Sequence, residues 1–188
     1  MFFKHKKTSE HKILDGLKKG NQKYERILYQ EYSVPLFQIC LQYASNINDA
    51  EDLLQDSFIK IYESISQFES RFEGGLVMWM RRIVINTAVN HYRENKKKPI
   101  TQEIKDEITE ENEEDFLMEE KNYSHTQILE AITELPQGYR LVFNLYVLEG
   151  KKHQEIADQL SISVNTSKSQ LSKARKKLIS LLSQKTVA

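Results

Sequence analysis

The sequence has little cysteine, proline or glycine: its 188 residues contain one, three and six of them, respectively. The single cysteine, Cys40, excludes a disulfide framework and a cysteine-rich zinc site. Few helix-breaking residues and no alternating β-branched runs favour helices over a sheet. No stretch approaches the roughly 18 consecutive apolar residues of a membrane span, and the first residues have no apolar core of signal-peptide length. We therefore expect an all-α, cytoplasmic protein without membrane insertion.

The residue patterns of common enzyme sites are also missing. His153 and Glu155 match the H-x-E of zinc deaminases, but no cysteine pair exists to complete that metal site. The sequence contains no HExxH, no phosphate-binding P-loop and no glycine-rich dinucleotide turn. We predict that the chain is not an enzyme, has no catalytic residue and no metal site, and needs no cofactor.

The formal net charge of zero conceals segments of opposite sign. Counting Lys and Arg against Asp and Glu, the net charge is +5 in each of the segments 1–28, 75–98 and 151–177, −6 in 29–74 and −8 in 99–121. A polyanion responds to the local field and not to the whole-chain charge. The basic segments are therefore candidates for contact with nucleic acid.

Hydrophobic periodicity divides the chain into two helical parts. Apolar residues recur at three- and four-residue steps over most of the sequence, which is typical of amphipathic helices. The pattern lapses in the acidic segment 99–122, which predicts a flexible linker. The predicted fold is all-α, with two small helical domains at 1–98 and 123–188 joined by this acidic linker, the second a helix-turn-helix domain.

Three elements are predicted in the second half of the first domain. An amphipathic helix over 49–65 has an apolar face that includes Phe58 and Ile59. Residues 66–75 have no helical stripe and form an ordered loop. A further helix runs from Leu76 to about residue 95.

Residues 153–166 have the pattern of a helix-turn-helix. Ala157 is small where two helices would cross closely, and Ser163 or Asn165 can cap the second helix, which is basic. A plain helical hairpin with a solvated basic face is the alternative, but a hairpin does not require both features together. The residues that the second helix would present to DNA are Thr166, Lys168, Ser169, Ser172, Lys173, Arg175 and Lys176.

Three blocks of the sequence resemble RNA polymerase sigma factors of the extracytoplasmic-function type. The first is DAEDLLQDSFIKIY at 49–62, which resembles the family's polymerase-binding helix. The second is WMRRIVINTAVNHYR at 79–93, which is similar to its promoter-melting helix. The third comprises LPQGYRLVF at 135–143 and EGKKHQEIA at 149–157, which resemble its other characteristic domain. The blocks follow the family's order, and the resemblance covers roughly residues 9–183.

This resemblance implies a factor that binds core RNA polymerase and directs promoter-specific initiation. The first domain would dock on the clamp helices of the largest subunit, and the second would meet the flap of the second-largest subunit. The alternative for the acidic helix is a solvated face. The residues implied in core binding are Glu51, Asp52, Gln55, Asp56 and Lys60.

The resemblance also implies two contacts with promoter DNA. The first domain would recognise and melt the −10 element, and the second would recognise the −35 element. Loop residues from Gln67 to Ser70 are candidates for a pocket that holds a flipped base, although an ordinary connecting loop remains open, and Trp79 could equally belong to the core. The residues implied at the −10 element are Gln67, Phe68, Trp79, Arg82, Asn86, Asn90 and Arg93.

Some features depart from the family pattern or leave alternatives open. Ser167 stands where an apolar residue often packs, so we expect Leu171 to anchor the recognition helix. The main alternative function is a stand-alone helix-turn-helix regulator with an N-terminal sensing or dimerisation domain; another is an interaction protein that sequesters basic partners. Whether an anti-sigma factor binds the chain is left open.

Overall fold

The computed structural model describes residues 9–70, 72–97 and 123–185. Regular structure in these ranges is helical, and no strand occurs within them. The predicted all-α fold class is confirmed for this part of the chain. The predicted linker, 99–122, lies outside the described residues.

The chain forms two compact units, with the boundary inside a long helix between Ala88 and Val89. The predicted domain limits at residues 98 and 123 stay a prediction. The helical elements up to residue 97 are α1 (Glu10–Lys18), α2 (Gln22–Tyr43), α3 (Ile47–Ser64), a 3-10 turn (Ile65–Gln67) and α4 (Gly75–Lys97).

The first unit is built on the apolar faces of α2 and α3. Leu28, Tyr32, Leu36 and Cys40 follow one another at four-residue steps of α2, and all four side chains are buried. This spacing places them on one helix face, as the sequence predicts. Burial raises the pKa of the Cys40 thiol to about 12, so the thiol is neutral and packs as a small apolar group.

Helix α3 begins two residues earlier than predicted. The side-chain oxygen of Asn46 accepts a hydrogen bond from the Asp49 backbone N–H at 2.9 Å, which makes Asn46 the N-cap. The apolar face of α3 includes buried Phe58 and Ile61, but Ile59 is 55% exposed. Its predicted place on the buried face was therefore wrong. Ile59 is rotated about 100° around the helix from Phe58, away from the side on which Phe58 and Ile61 are buried.

The second unit is built by packing three helices against the last helix of the chain. Its remaining elements are α5 (His125–Thr133), α6 (Gln137–Phe143) with a π-helical turn (Asn144–Leu148), α7 (His153–Leu160) and α8 (Val164–Lys185). The buried cluster between α5 and α8 contains Ala131, Ile132, Leu135, Ala174, Leu178 and Leu182.

The α7–α8 connection has the geometry of a helix-turn-helix. Helix α7 ends at Leu160, and its C-cap Ser161 adopts the left-handed conformation with φ of 54°. The Ser163 Oγ accepts a hydrogen bond from the Thr166 N–H at 2.9 Å, so Ser163, and not Asn165, caps α8. Ile156, Ala157 and Leu160 are buried on α7, as expected for the helix that packs behind the second one.

Candidate nucleic-acid and polymerase interfaces

The seven residues predicted at the −35 element lie together on one side of α8. The opposite side is buried and includes Ser167, Leu171 and Ala174. The side with the seven predicted residues therefore faces outward. Lys168, Arg175 and Lys176 are exposed, and the other four residues are half-buried: Thr166, Ser169, Ser172 and Lys173.

The hydroxyl groups at the start of α8 are held by local hydrogen bonds. The Thr166 Oγ1 lies 2.8 Å from the Ser163 Oγ, where either group can donate. The Ser169 Oγ donates to the Thr166 carbonyl at 3.1 Å. These bonds orient the short side chains in the turn of the helix that would enter a groove first.

Ser167 contributes a polar anchor that the sequence did not reveal. Its side chain is fully buried, and its Oγ lies 2.9 Å from the Nδ1 of His153 on α7. Leu171 is buried, as expected of a residue that anchors the recognition helix. The expectation was incomplete, because Ser167 is buried too and also anchors this helix. The two partners are 14 residues apart, so no local pattern could pair them.

Tyr146 and Arg175 extend this contact to the exposed side of the unit. The Tyr146 ring stacks on His153 with ring centroids 4.7 Å apart, and the Arg175 guanidinium lies over the Tyr146 ring at 5.9 Å from its centroid. This distance is within the range of a cation–π contact. Arg175 is therefore held near the outward face while its charge stays accessible.

The residues predicted on α4 form a single stripe. Trp79, Arg82, Asn86, Asn90 and Arg93 are spaced three, four, four and three residues apart, which keeps them on one helix face. Arg82 and both asparagines are exposed, while Trp79 and Arg93 are half-buried.

A cleft of about 370 Å³ opens beside the start of this stripe. It is lined by Ser64, Gln67, Phe68, Glu69 and Trp79. The rings of Phe68 and Trp79 stack with centroids 4.7 Å apart and an interplanar angle of 29°. The cleft is partly open and is not an enclosed cavity.

Only part of the loop contributes to this cleft. Gln67, Phe68 and Glu69 line it, but Ser70 does not; its Oγ donates to the Phe72 carbonyl at 2.9 Å and stabilises the turn. Ser64 was missed because its position at the end of α3 carries no signal of its own; its hydroxyl donates to the Lys60 carbonyl. Trp79 is half-buried, so it is neither a core residue nor fully exposed.

The five residues predicted to bind core polymerase lie on α3. Glu51, Asp52, Gln55 and Lys60 are exposed and Asp56 is half-buried. The Lys60 ammonium donates to the Thr87 hydroxyl of α4 at 3.2 Å, so its charge is directed towards that helix. The remaining face is acidic, with the exposed Ile59 beside Gln55 and Asp56.

The described residues contain neither a cluster of metal ligands nor a membrane-spanning helix. Among 9–70, 72–97 and 123–185, no group of three or more His, Cys, Asp or Glu side chains could hold a metal ion. None of the helices in these ranges is both long and apolar enough to cross a membrane.

Two family models match the chain, and both describe sigma-70 factors. The model "Sigma-70 region 2" matches residues 28–98, and "Sigma-70, region 4" matches residues 125–178. The first match includes α3, α4 and the cleft, and the second includes α7 and most of α8. No catalytic family is indicated by either match.

Relatives of known function match nearly the whole chain. The ECF RNA polymerase sigma-E factor of Haemophilus influenzae is 27% identical over 172 residues, which cover 87% of this chain and 89% of that protein. The sigma-E factor of Escherichia coli is 28% identical over 173 residues, with coverage of 87% and 88%. The RNA polymerase sigma-H factor of Pseudomonas aeruginosa is 23% identical over 175 residues, with coverage of 88% and 90%.

Solved structures give weaker likenesses. CnrH in complex with the cytosolic domain of CnrY is 19% identical with a TM-score of 0.46, covering 94% of this chain and 99% of that chain. RpoE in complex with the anti-sigma factor NepR from Bartonella quintana is 20% identical with a TM-score of 0.46, covering 88% and 98%. At these scores neither structure adds to the assignment.

The comparisons do not favour a stand-alone regulator, because the N-terminal half that such a protein would use for sensing matches sigma-70 region 2. Regions 2 and 4 occur in the order that the three sequence blocks predict. The chain therefore belongs to the sigma-70 family, as an RNA polymerase sigma factor of the extracytoplasmic-function type.

Proposed function

We propose that this sigma factor binds core RNA polymerase in the cytoplasm through α3, and promoter DNA through α4 and α8. Residues 1–98 would act as the domain for core binding and the −10 element, and 123–188 as the domain for the −35 element. Segment 99–122 would link them. In this assignment the protein supplies binding surfaces to the polymerase and performs no chemistry of its own.

The observation that carries the proposal is the polar stripe of α4 beside the aromatic cleft. Melting exposes bases that can stack on aromatic rings, and Arg side chains can hold the phosphates of the separated strand. Arg82, Asn86 and Asn90 form an exposed track that begins one turn from the Phe68–Trp79 pair. A base extruded from the duplex costs a few kcal/mol, which a preformed pocket can offset.

The proposed −35 contact divides α8 along its length. Recognition helices read base edges mainly with their N-terminal residues, so Thr166, Lys168 and Ser169 would face the major groove. Arg175 and Lys176, two turns further on, are better placed for phosphates. Arg175 over the Tyr146 ring would make this phosphate contact with a side chain that is already oriented.

The proposed core interface is the acidic face of α3. Glu51, Asp52 and Asp56 suit a basic protein surface and would repel DNA. The clamp helices of the largest polymerase subunit are the proposed partner for this face, and the flap of the second-largest subunit for the second domain. An anti-sigma factor stays a further candidate partner of the chain.

Promoter opening by the reconstituted holoenzyme tests the −10 assignment. A promoter is first selected from random duplex DNA by the wild-type holoenzyme, and opening is followed by the permanganate reactivity of thymines in its −10 element. We expect Trp79→Ala to lower opening about tenfold, since base–aromatic stacking contributes about 1–3 kcal/mol, while co-purification with core polymerase is retained.

Met78→Ala is the matched control for this experiment. Met78 is the adjacent residue of α4, is 62% exposed and does not line the cleft. It should open the promoter as the wild type does. Equal opening by Trp79→Ala and Met78→Ala would refute the assignment of the cleft to the −10 element.

A further inference from the structure

The aromatic walls of the cleft come from two separate segments. Phe68 directly follows the 3-10 turn Ile65–Gln67, and Trp79 lies in the second turn of α4. The stacking of their rings therefore depends on how the turn and the start of α4 are held relative to one another.

Helix α1 contacts both of these segments. It packs against the 3-10 turn, and it also reaches the backbone at which α4 begins. The second contact includes a hydrogen bond from a side chain of α1: the Glu10 Oε2 accepts from the Gly74 N–H at 3.1 Å. Glu10 and Gly74 are 64 residues apart in the sequence, so this bond joins the N-terminal helix to the cleft region.

The Glu10 carboxylate meets α4 at a position where a negative charge is favourable. The Gly74 carbonyl accepts the Met78 N–H at 3.3 Å, so Gly74 is the residue that opens the helix. The free N–H groups at a helix N-terminus carry a partial positive charge that favours a carboxylate. Gly74 has φ of +86°, a left-handed conformation that an L side chain rarely adopts, and the Glu10 carboxylate bonds to the N–H of this residue.

We infer that Glu10 is a positioning residue for base recognition at the −10 element. Its carboxylate holds the start of α4, and through it Trp79, against the turn that carries Phe68. This role rests on the proposed function, because it has an effect on DNA only if the cleft receives a base. Glu10 itself is not proposed to touch DNA.

Binding of single-stranded −10 DNA by the full holoenzyme tests this inference. The probes are non-template oligonucleotides from the selected promoter, intact or with one abasic position at a time. The wild type should lose affinity when the base that enters the cleft is removed. Glu10→Ala should lower affinity for the intact strand about tenfold, the scale of one charge-assisted hydrogen bond, and should bind the abasic strand as the wild type does.

Two variants make the result specific to the hydrogen bond. Glu10→Gln keeps an oxygen acceptor for the Gly74 N–H and should retain at least half of the discrimination between intact and abasic strands. Asp15→Ala is the matched control, because Asp15 is an exposed acid of α1 whose carboxylate pairs with Lys19, the residue that follows this helix, at 2.7 Å. This variant should distinguish intact from abasic strands as well as the wild type does.

The possible outcomes separate this inference from the proposed function. If the wild type shows no abasic penalty at any position, the cleft does not receive a base and both ideas fail. If the wild type shows the penalty and Glu10→Ala retains it in full, the inference about Glu10 alone is overturned. Equal loss of intact and abasic binding in Glu10→Ala would also overturn it, because general destabilisation would then explain the effect.

Discussion

The Nδ1 atom of His153 lies 2.9 Å from the Oγ of Ser167, and this contact joins the first turn of α7 to the first turn of α8. The Ser167 side chain is fully buried and His153 is half-buried, so this polar contact is partly shielded from solvent. It fixes the two helices of the helix-turn-helix at the end where α8 would meet DNA.

Ser167→Ala is expected to destabilise the second unit by about 1–2 kcal/mol, because the partly buried imidazole nitrogen would lose its partner. Urea denaturation followed by circular dichroism measures this loss. Binding to a −35 duplex should weaken as well, because the start of α8 is less firmly held. Ser180→Ala, at an exposed position of the same helix, should change neither quantity. A Ser167→Ala protein as stable as the wild type would contradict the anchoring role.

The double variant Lys168→Ala and Lys173→Ala is expected to weaken binding of the −35 element without affecting core binding. Fewer positive charges at the DNA should make the negative slope of log K against log salt less steep, as measured by anisotropy at several salt concentrations. Lys12→Ala and Lys18→Ala together remove the same charge from exposed positions of α1 and should leave the slope for this element unchanged. Loss of core binding in the α8 variant would contradict the proposed division of roles.

The double variant Asp52→Lys and Asp56→Lys is expected to weaken co-purification with core polymerase at least tenfold. The reason is that the two new lysines would repel a basic surface on the partner. Circular dichroism should be unchanged, since neither side chain is buried. The same substitution at Asp158, an exposed acid of α7, serves as the control. Undiminished co-purification of the α3 variant would rule out this helix as the core-binding surface.

Two residues with left-handed backbone allow a paired test of the fold around α7. Ser161 has φ of 54° and Gly150 has φ of 66°, and an added Cβ at Gly150 would meet no atom within 4 Å. Ser161→Gly should stabilise the unit by up to about 1 kcal/mol, and Gly150→Ala should destabilise it by about 1 kcal/mol. Thermal unfolding measures both effects. If both variants shifted the melting temperature in the same direction, backbone conformation alone could not explain the two effects.

Local spacing was enough to predict that these segments are helical, and it indicated the basic side of α8. The residues of the α4 stripe were implied by the family resemblance, and the structure places them on one helix face. Ile59 was misplaced because an apolar residue on a helix need not face its core.

Contacts between distant residues could not be predicted in this way. The bond from Gly74 to Glu10 and the contact between His153 and Ser167 span 64 and 14 residues, and depend on tertiary packing. The stacking of Phe68 on Trp79 also depends on how the loop after α3 packs against α4. Such contacts set the geometry of the cleft and of the recognition helix, and periodicity carries no information about them.

Transcription in vitro with purified core polymerase tests the sigma assignment most directly. The template is a promoter selected from random DNA by core polymerase in the presence of this protein, and the product is the transcript that starts at a defined position. Core polymerase with the protein should produce this transcript, and core polymerase alone should not. If the protein bound duplex DNA without polymerase but produced no specific transcript with it, the sigma assignment would be contradicted.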